Sequence, residues 1–171
     1  VYRVTLRNHI NLSRIADGKA NMIISINTVV LSVLITAGSA GFTTFKDQIT
    51  ENLHLLAPVV ILMLSSLTAV VFAVLSALPK VSSQPFSKED LEEHKVSLLY
   101  FGNFLQLSKD DFVGYLRELK KDEEILYDDL SRDLYTLGMV LKRKYHLLTM
   151  AYRIFVMGLV VSLVTFLAMG V

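Results

Sequence analysis

The sequence contains no cysteine, which excludes disulfides, thiolate metal sites and a cysteine nucleophile. It has almost no net charge: 17 Lys and Arg against 16 Asp and Glu give +1, so composition offers no basis for a nucleic-acid partner. No glycine-rich phosphate loop occurs, which argues against a nucleoside-triphosphate site. The four histidines, His9, His54, His94 and His146, are scattered, without HExxH or paired spacing. His94 beside Glu92 and Glu93 reads as an exposed polar helix face rather than a metal site. An intramembrane enzyme needs convergent catalytic groups at membrane depth, and only Asn27 and hydroxyls stand there. The expectation is therefore a non-enzyme with no metal and no cofactor. The chain begins at Val1 rather than Met, which leaves room for a domain ahead of it.

What the sequence does have is segregation. It is 53% hydrophobic, with a mean hydropathy of +0.49. Yet Ala20–Phe45, Leu55–Leu78 and Ile154–Val171 contain no Asp, Glu, Lys or Arg, so all 33 charges fall on the remaining 103 residues. A soluble domain interleaves the two kinds of residue at short period. A hydrocarbon core of roughly 30 Å needs about 20 apolar helical residues; two blocks exceed that and the third nearly meets it. Spanning strands would need dyad alternation, and none is visible. A cleaved signal peptide ending near Gly38-Ser39-Ala40 fits poorly, because the apolar run is too long and too far from the first residue.

The fold class read from this pattern is an all-α membrane protein. Three transmembrane helices carry a helical cytoplasmic segment between the second and third, whose last helix runs into the third span. The expected boundaries are a cytoplasmic N-terminal helix at 1–19, spans at 20–45 and 55–78, a short outer loop at 46–54, a cytoplasmic helical domain at 79–153 and a third span at 154–171. Basic residues mark the cytoplasmic side. Arg3, Arg7, Arg14 and Lys19 precede the first span, Lys46 is the only basic residue of the loop, and the other twelve lie between the second and third spans. The C-terminus is thereby placed outside.

Within the cytoplasmic segment, Pro79 and Pro85 frame a turn-rich exit. Ser87 with Asp90, and Ser108 with Asp111, have the spacing of helix N-terminal capping boxes. From Asp122 onward Leu126, Leu130, Leu134, Leu137, Leu141, Tyr145, Leu148, Tyr152 and Phe155 recur at steps of three and four, a narrow apolar seam of the coiled-coil kind. The seam is to be buried within the chain, against another subunit, or both.

The first span carries a polar line. Asn21, Ser25, Thr28, Ser32, Thr36 and Ser39 share one helix face, Arg14 and Asp17 extend it past the membrane boundary, and Asn27 lies beside it. Polar groups at membrane depth are costly unless they pair or meet water. Two readings stand: packing with hydroxyls bonded back to their own helix, or a water-lined path. Ser65, Ala69, Ala73 and Ala77 in the second span, and Gly158 with Ser162 in the third, are small-residue faces that favour close helix approach. For a small anion, the candidate rings are Tyr100, Phe101, Phe104, Tyr127 and Tyr135, and the candidate charges are Arg117, Arg132, Arg143 and Lys144.

Three blocks carry a resemblance. The first is Leu6-Arg7-Asn8-His9-Ile10, Leu12-Ser13, Ile15-Ala16-Asp17, Lys19-Ala20-Asn21 and Ile24-Ser25-Ile26-Asn27. The second is Leu98-Leu99-Tyr100-Phe101-Gly102-Asn103-Phe104. The third is Asp133-Leu134-Tyr135, Leu137-Gly138, Val140-Leu141 and Lys144-Tyr145, with Ala151-Tyr152 and Phe155. Together these resemble the Pycsar transmembrane effectors over essentially the whole chain. The resemblance implies a bacterial antiphage role at the inner membrane. Cyclic UMP or cyclic CMP would be the activating ligand, and membrane impairment with abortive infection the outcome. No ligand residues carry over from the family.

The candidate ligand-binding set is therefore inferred from residue chemistry as Tyr100, Phe101, Asn103, Arg132, Tyr135, Arg143 and Lys144. Asn8, His9, Arg14, Asp17, Lys19 and Asn21 are the candidate junction residues, and Ser25, Asn27, Thr28 and Ser32 the polar transmembrane face. The expected partners are the lipid bilayer, the cyclic pyrimidine nucleotide and further copies of the chain in a homo-oligomer. A structural scaffold that recruits a protein through its long helix is the alternative.

Overall fold

A computed structural model describes residues 2–44, 56–79 and 101–169. The Ser87–Asp90 cap, the short outer loop and Tyr100 lie outside the described residues. Among the described residues five helices follow in order: α1 (Tyr2–Thr44), α2 (Ala57–Ala77), α3 (Phe101–Phe104), α4 (Lys109–Leu119) and α5 (Glu123–Met169). There is no strand among the described residues. Helices α1, α2 and α5 are long and apolar enough to cross a membrane. The protein is thus an all-α membrane protein. The N-terminal segment and the first apolar block form one unbroken helix, because no proline or turn signal separates them.

The chain divides into two compact units. One, the charged unit, draws on residues 1–12 and 79–142. The other, the apolar unit, comprises Ser13–Leu78 and Arg143–Val171.

In the charged unit, Ser108 caps α4. Its hydroxyl accepts from the Asp111 amide at 3.2 Å and donates to Asp111 Oδ2 at 2.7 Å. Of the capping box read from the sequence, the serine half is present, while the acidic side chain meets the serine hydroxyl rather than its backbone N–H. Asp122 opens α5 in the same manner, accepting from the Glu124 and Ile125 amides at 2.9 and 3.3 Å, where the exposed helix dipole favours a carboxylate. Tyr115 and Leu119 of α4 are buried against Leu107, Leu116, Ile125 and Leu126. Phe104 and Phe112 meet with ring centroids 4.9 Å apart. None of the nine seam residues of α5 is exposed.

The apolar unit is built on small side chains. Ala20, Ile23, Ala73, Leu148 and Ala151 form its buried cluster, with Ile24, Phe72, Ala77 and Tyr152 packed around it. The buried face of α2 is Pro58, Ser66, Ala69, Ala73 and Ser76. In lipid, tails solvate large apolar side chains as well as another helix does, so association depends on close backbone approach and interhelical hydrogen bonds. Large residues such as Val29, Val33, Leu64, Val71, Val156 and Val164 accordingly face outward.

The tightest approach is at Gly158, where a Cβ would run into the Cβ and Oγ of Ser65. Gly158→Ala is expected to lower stability by about 1–3 kcal/mol through overpacking. Adding Ser65→Gly should recover most of it, since the nearest remaining atom is then the residue-65 Cα, 3.6 Å away. Unfolding in mixed detergent micelles, followed by far-UV circular dichroism, measures both.

Candidate functional site

In the apolar unit, polar contacts tie three helices at one level. Lys144 of α5 directs its ammonium to Asp17 of α1, at 2.8 Å from Oδ1 and 3.0 Å from Oδ2, and to Ser13 Oγ at 3.2 Å. The carbonyl of the same Lys144 accepts the Ser76 hydroxyl of α2 at 2.9 Å. A second crosslink lies further along, where Ser162 of α5 donates to the Pro58 carbonyl of α2 at 2.8 Å. Proline at 58 serves here as an acceptor, and its missing N–H costs nothing in the first turn of a helix.

The polar line of α1 behaves otherwise. Asn21, Ser25, Thr28, Ser32, Thr36 and Ser39 are all exposed on the chain. Thr28, Ser32 and Thr36 bond back to the carbonyls four residues earlier, at 2.7, 2.8 and 2.9 Å, and Ser39 to Thr36 at 3.0 Å. Those hydroxyls are satisfied within their own helix. Asn27 departs from them: it is fully buried, and its amide nitrogen donates to the Ile23 carbonyl at 2.9 Å.

The charged unit holds a second cluster. Tyr2 packs on Tyr127 with centroids 5.7 Å apart, and its hydroxyl reaches the Tyr127 carbonyl at 3.3 Å and the Ser131 hydroxyl. His9 lies over Gly138, where an added Cβ would sit 3.8 Å from Nε2. Tyr115 hydrogen-bonds Asp129, and burial together with that carboxylate pushes its phenol well above the usual range. Burial also pushes the Asp133 carboxyl up. The neighbouring Asp129 adds to the effect, and His9 opposes it.

The sequence-derived ligand set is divided between the two units. Tyr135 is 71% exposed, Arg132 is exposed and Asn103 is half-buried. Phe101 opens α3, and its side chain lies outside the described residues. Arg143 and Lys144 belong to the apolar unit, with Arg143 exposed and Lys144 engaged by Asp17. Of the junction candidates, Asn8 is exposed and His9 half-buried in the charged unit. Arg14, Lys19 and Asn21 are exposed in the apolar unit, and Asp17 is paired. Sequence reasoning did not single out Ser66, Ser76 or Tyr115, and quoted Ser13 only within the first resemblance block; Asp128-Asp129 reads from the sequence as a solvated face, which is corrected at Asp129, a buried residue. For Ser66 and Ser76 a signal existed: 66, 69, 73 and 76 alternate steps of three and four, which follows the 3.6-residue period. The strict fours of 65, 69, 73 and 77 instead drift around the helix.

Fold and contacts define a three-span helical membrane protein with a charged helical unit. The chain matches the family model described as Pycsar effector protein domain (PycTM) over residues 1–170, and it belongs to that family. It is thereby an effector of antiphage defence. No curated protein and no solved structure matches it.

Two outcomes follow from these clusters. Lys144 is 16% exposed and Asp17 41%, so removing the carboxylate strands the less hydrated charge. Asp17→Asn should therefore lower the detergent unfolding midpoint more than Lys144→Met, which leaves an acid that water can reach. For Asp133, a carboxyl pKa raised by folding contributes stability that is complete below the ordinary carboxylate range and is lost as pH rises through the folded-state value. Asp133→Asn should thus melt higher than the parent at pH 7, with the difference closing as pH falls below that range. Melting curves across pH test it.

Proposed function

We propose that this chain is an inner-membrane effector, triggered by cyclic UMP or cyclic CMP, that impairs membrane integrity so that the infected cell dies before phage spread. Membership of the Pycsar effector family over residues 1–170 carries the reading. The three apolar helices support its seat in a bilayer. The positive-inside distribution of Lys and Arg supports an N-terminus and residues 79–153 in the cytoplasm and a C-terminus outside.

In this reading the charged unit meets the nucleotide. Rings such as Tyr135 stack on the pyrimidine, and the exposed Arg132 guanidinium meets the single phosphate charge. Binding favours one conformation only by differential affinity, and a 100-fold preference supplies about 2.7 kcal/mol per site. A homo-oligomer multiplies that bias. The Asp17–Lys144–Ser76 tie is the element such a bias would act on, because it joins all three spanning helices.

The test is membrane potential in cells that express the chain while either nucleotide is made in trans. Depolarisation with one nucleotide and not with linear UMP or CMP is expected, and depolarisation with neither would sink the reading. Calorimetry of the purified protein with both cyclic nucleotides separates it from a scaffold that binds no small ligand.

A further inference from the structure

The two crosslinks between α2 and α5 fix a register. From Ser76 to Pro58 and from Lys144 to Ser162 are eighteen residues each, so the antiparallel helices stay in step over about 27 Å. Asp17 sets α1 at the first of these levels. Counting ten residues onward along each helix reaches Asn27 on α1, Ser66 on α2 and Ile154 on α5. Asn27 and Ser66 are both fully buried. Asn27 Oδ1 and Ser66 Oγ are also the two buried side-chain polar atoms of the apolar unit that have no hydrogen-bond partner among the described residues. One is an acceptor and the other carries a donor proton. Two complementary, unpartnered groups at one level of a lipid-embedded bundle are a polar site with a ligand to find.

The site is not isolated. With Ser76 and Lys144 at one end and Ser162 and the Pro58 carbonyl at the other, polar atoms recur through the interior at intervals of about 12–15 Å. Between Ser66 and Ser76 the fully buried α2 positions are the small Ala69 and Ala73, with Phe72 packed beside them against the cluster that holds Ile23 and Leu148 of the other two helices. The level of Asn27 is also within one residue of Arg153, the last charge on α5, so hydration drawn in by that guanidinium comes close to it. By contrast, the outward hydroxyls of Thr28, Ser32, Thr36 and Ser39 are already bonded to their own helix.

We propose that Asn27 Oδ1 and Ser66 Oγ bind one water molecule between α1 and α2, and that this hydrated step puts the leak route inside the three-helix bundle rather than along the outward polar line of α1. The water donates to the Asn27 carbonyl oxygen and accepts from the Ser66 hydroxyl, which satisfies both. The route rests on the membrane-impairing reading above; the water site does not.

Because the chain has no cysteine, a single introduced thiol is unique. Ser66→Cys and Ser32→Cys are made in the full chain and exposed to a small, charged, membrane-impermeant methanethiosulfonate, with and without cyclic UMP or cyclic CMP. Nucleotide-dependent labelling of Ser66→Cys with loss of the leak, and no reaction at Ser32→Cys, is expected. Labelling at Ser32→Cys with Ser66→Cys silent overturns the interior route while leaving the effector reading intact. If neither nucleotide depolarises the parent chain, the effector reading and the route fall together.

The water site is decided without nucleotide by a double-mutant cycle of Asn27→Leu and Ser66→Ala, read as detergent unfolding midpoints. Each single change strands the other partner, so the double variant is expected to lose no more stability than the worse single one. Additive losses overturn the site.

Discussion

Lys144 is bonded to both of the other spanning helices. It offers its ammonium to Asp17 and Ser13 on α1 while its carbonyl takes the Ser76 hydroxyl from α2. No hydrophobic effect drives helices together in lipid, so a polar tie of this kind and the small residues beside it must do what a core of large side chains does in water. The rest of the apolar unit follows from that constraint. Ala20, Ala69, Ala73 and Ala151 let the backbones approach, Gly158 receives Ser65, and the bulky valines and leucines turn outward.

The charged unit obeys the opposite rule, and its contents show it. Tyr115 and Leu119 bury large surfaces against α5, and capping residues open both α4 and α5. Its cost is electrostatic: Asp129 and Asp133 lie one turn apart on α5, and burial disfavours ionisation of the second. His9, brought over Gly138 from α1, offsets part of that cost.

Much of this was legible in one dimension because helices write their faces at fixed spacing. The charge-free blocks gave the spans, the seam from Leu126 to Phe155 gave a face that is nowhere exposed, and Ser108 with Asp111 gave a cap. What resisted was any fact that depends on which neighbour a face meets. Asn27 and Ser25 are two residues apart, yet one is buried and the other exposed, and no periodicity chooses between them. Lys144 and Asp17 both drew notice from the sequence, but as a nucleotide ligand and a junction residue. Their bond joins positions 127 residues apart, which only the folded chain reveals. Tyr135 reads from the sequence as a stacking ring, and its side chain is largely exposed.

The position of Lys144 in the chain has a consequence for synthesis. Asp17 and Ser76 are made long before it, and more than sixty residues separate Ser76 from its acceptor. While a ribosome is still translating that stretch, α1 and α2 sit in the bilayer without the residue that joins them, and Ala20, Ile23 and Ala73 lack Leu148 and Ala151, which complete their cluster. The bundle can close only after α5 has been made and inserted. Assembly of the membrane unit is therefore post-insertional by construction, timed by the synthesis of α5.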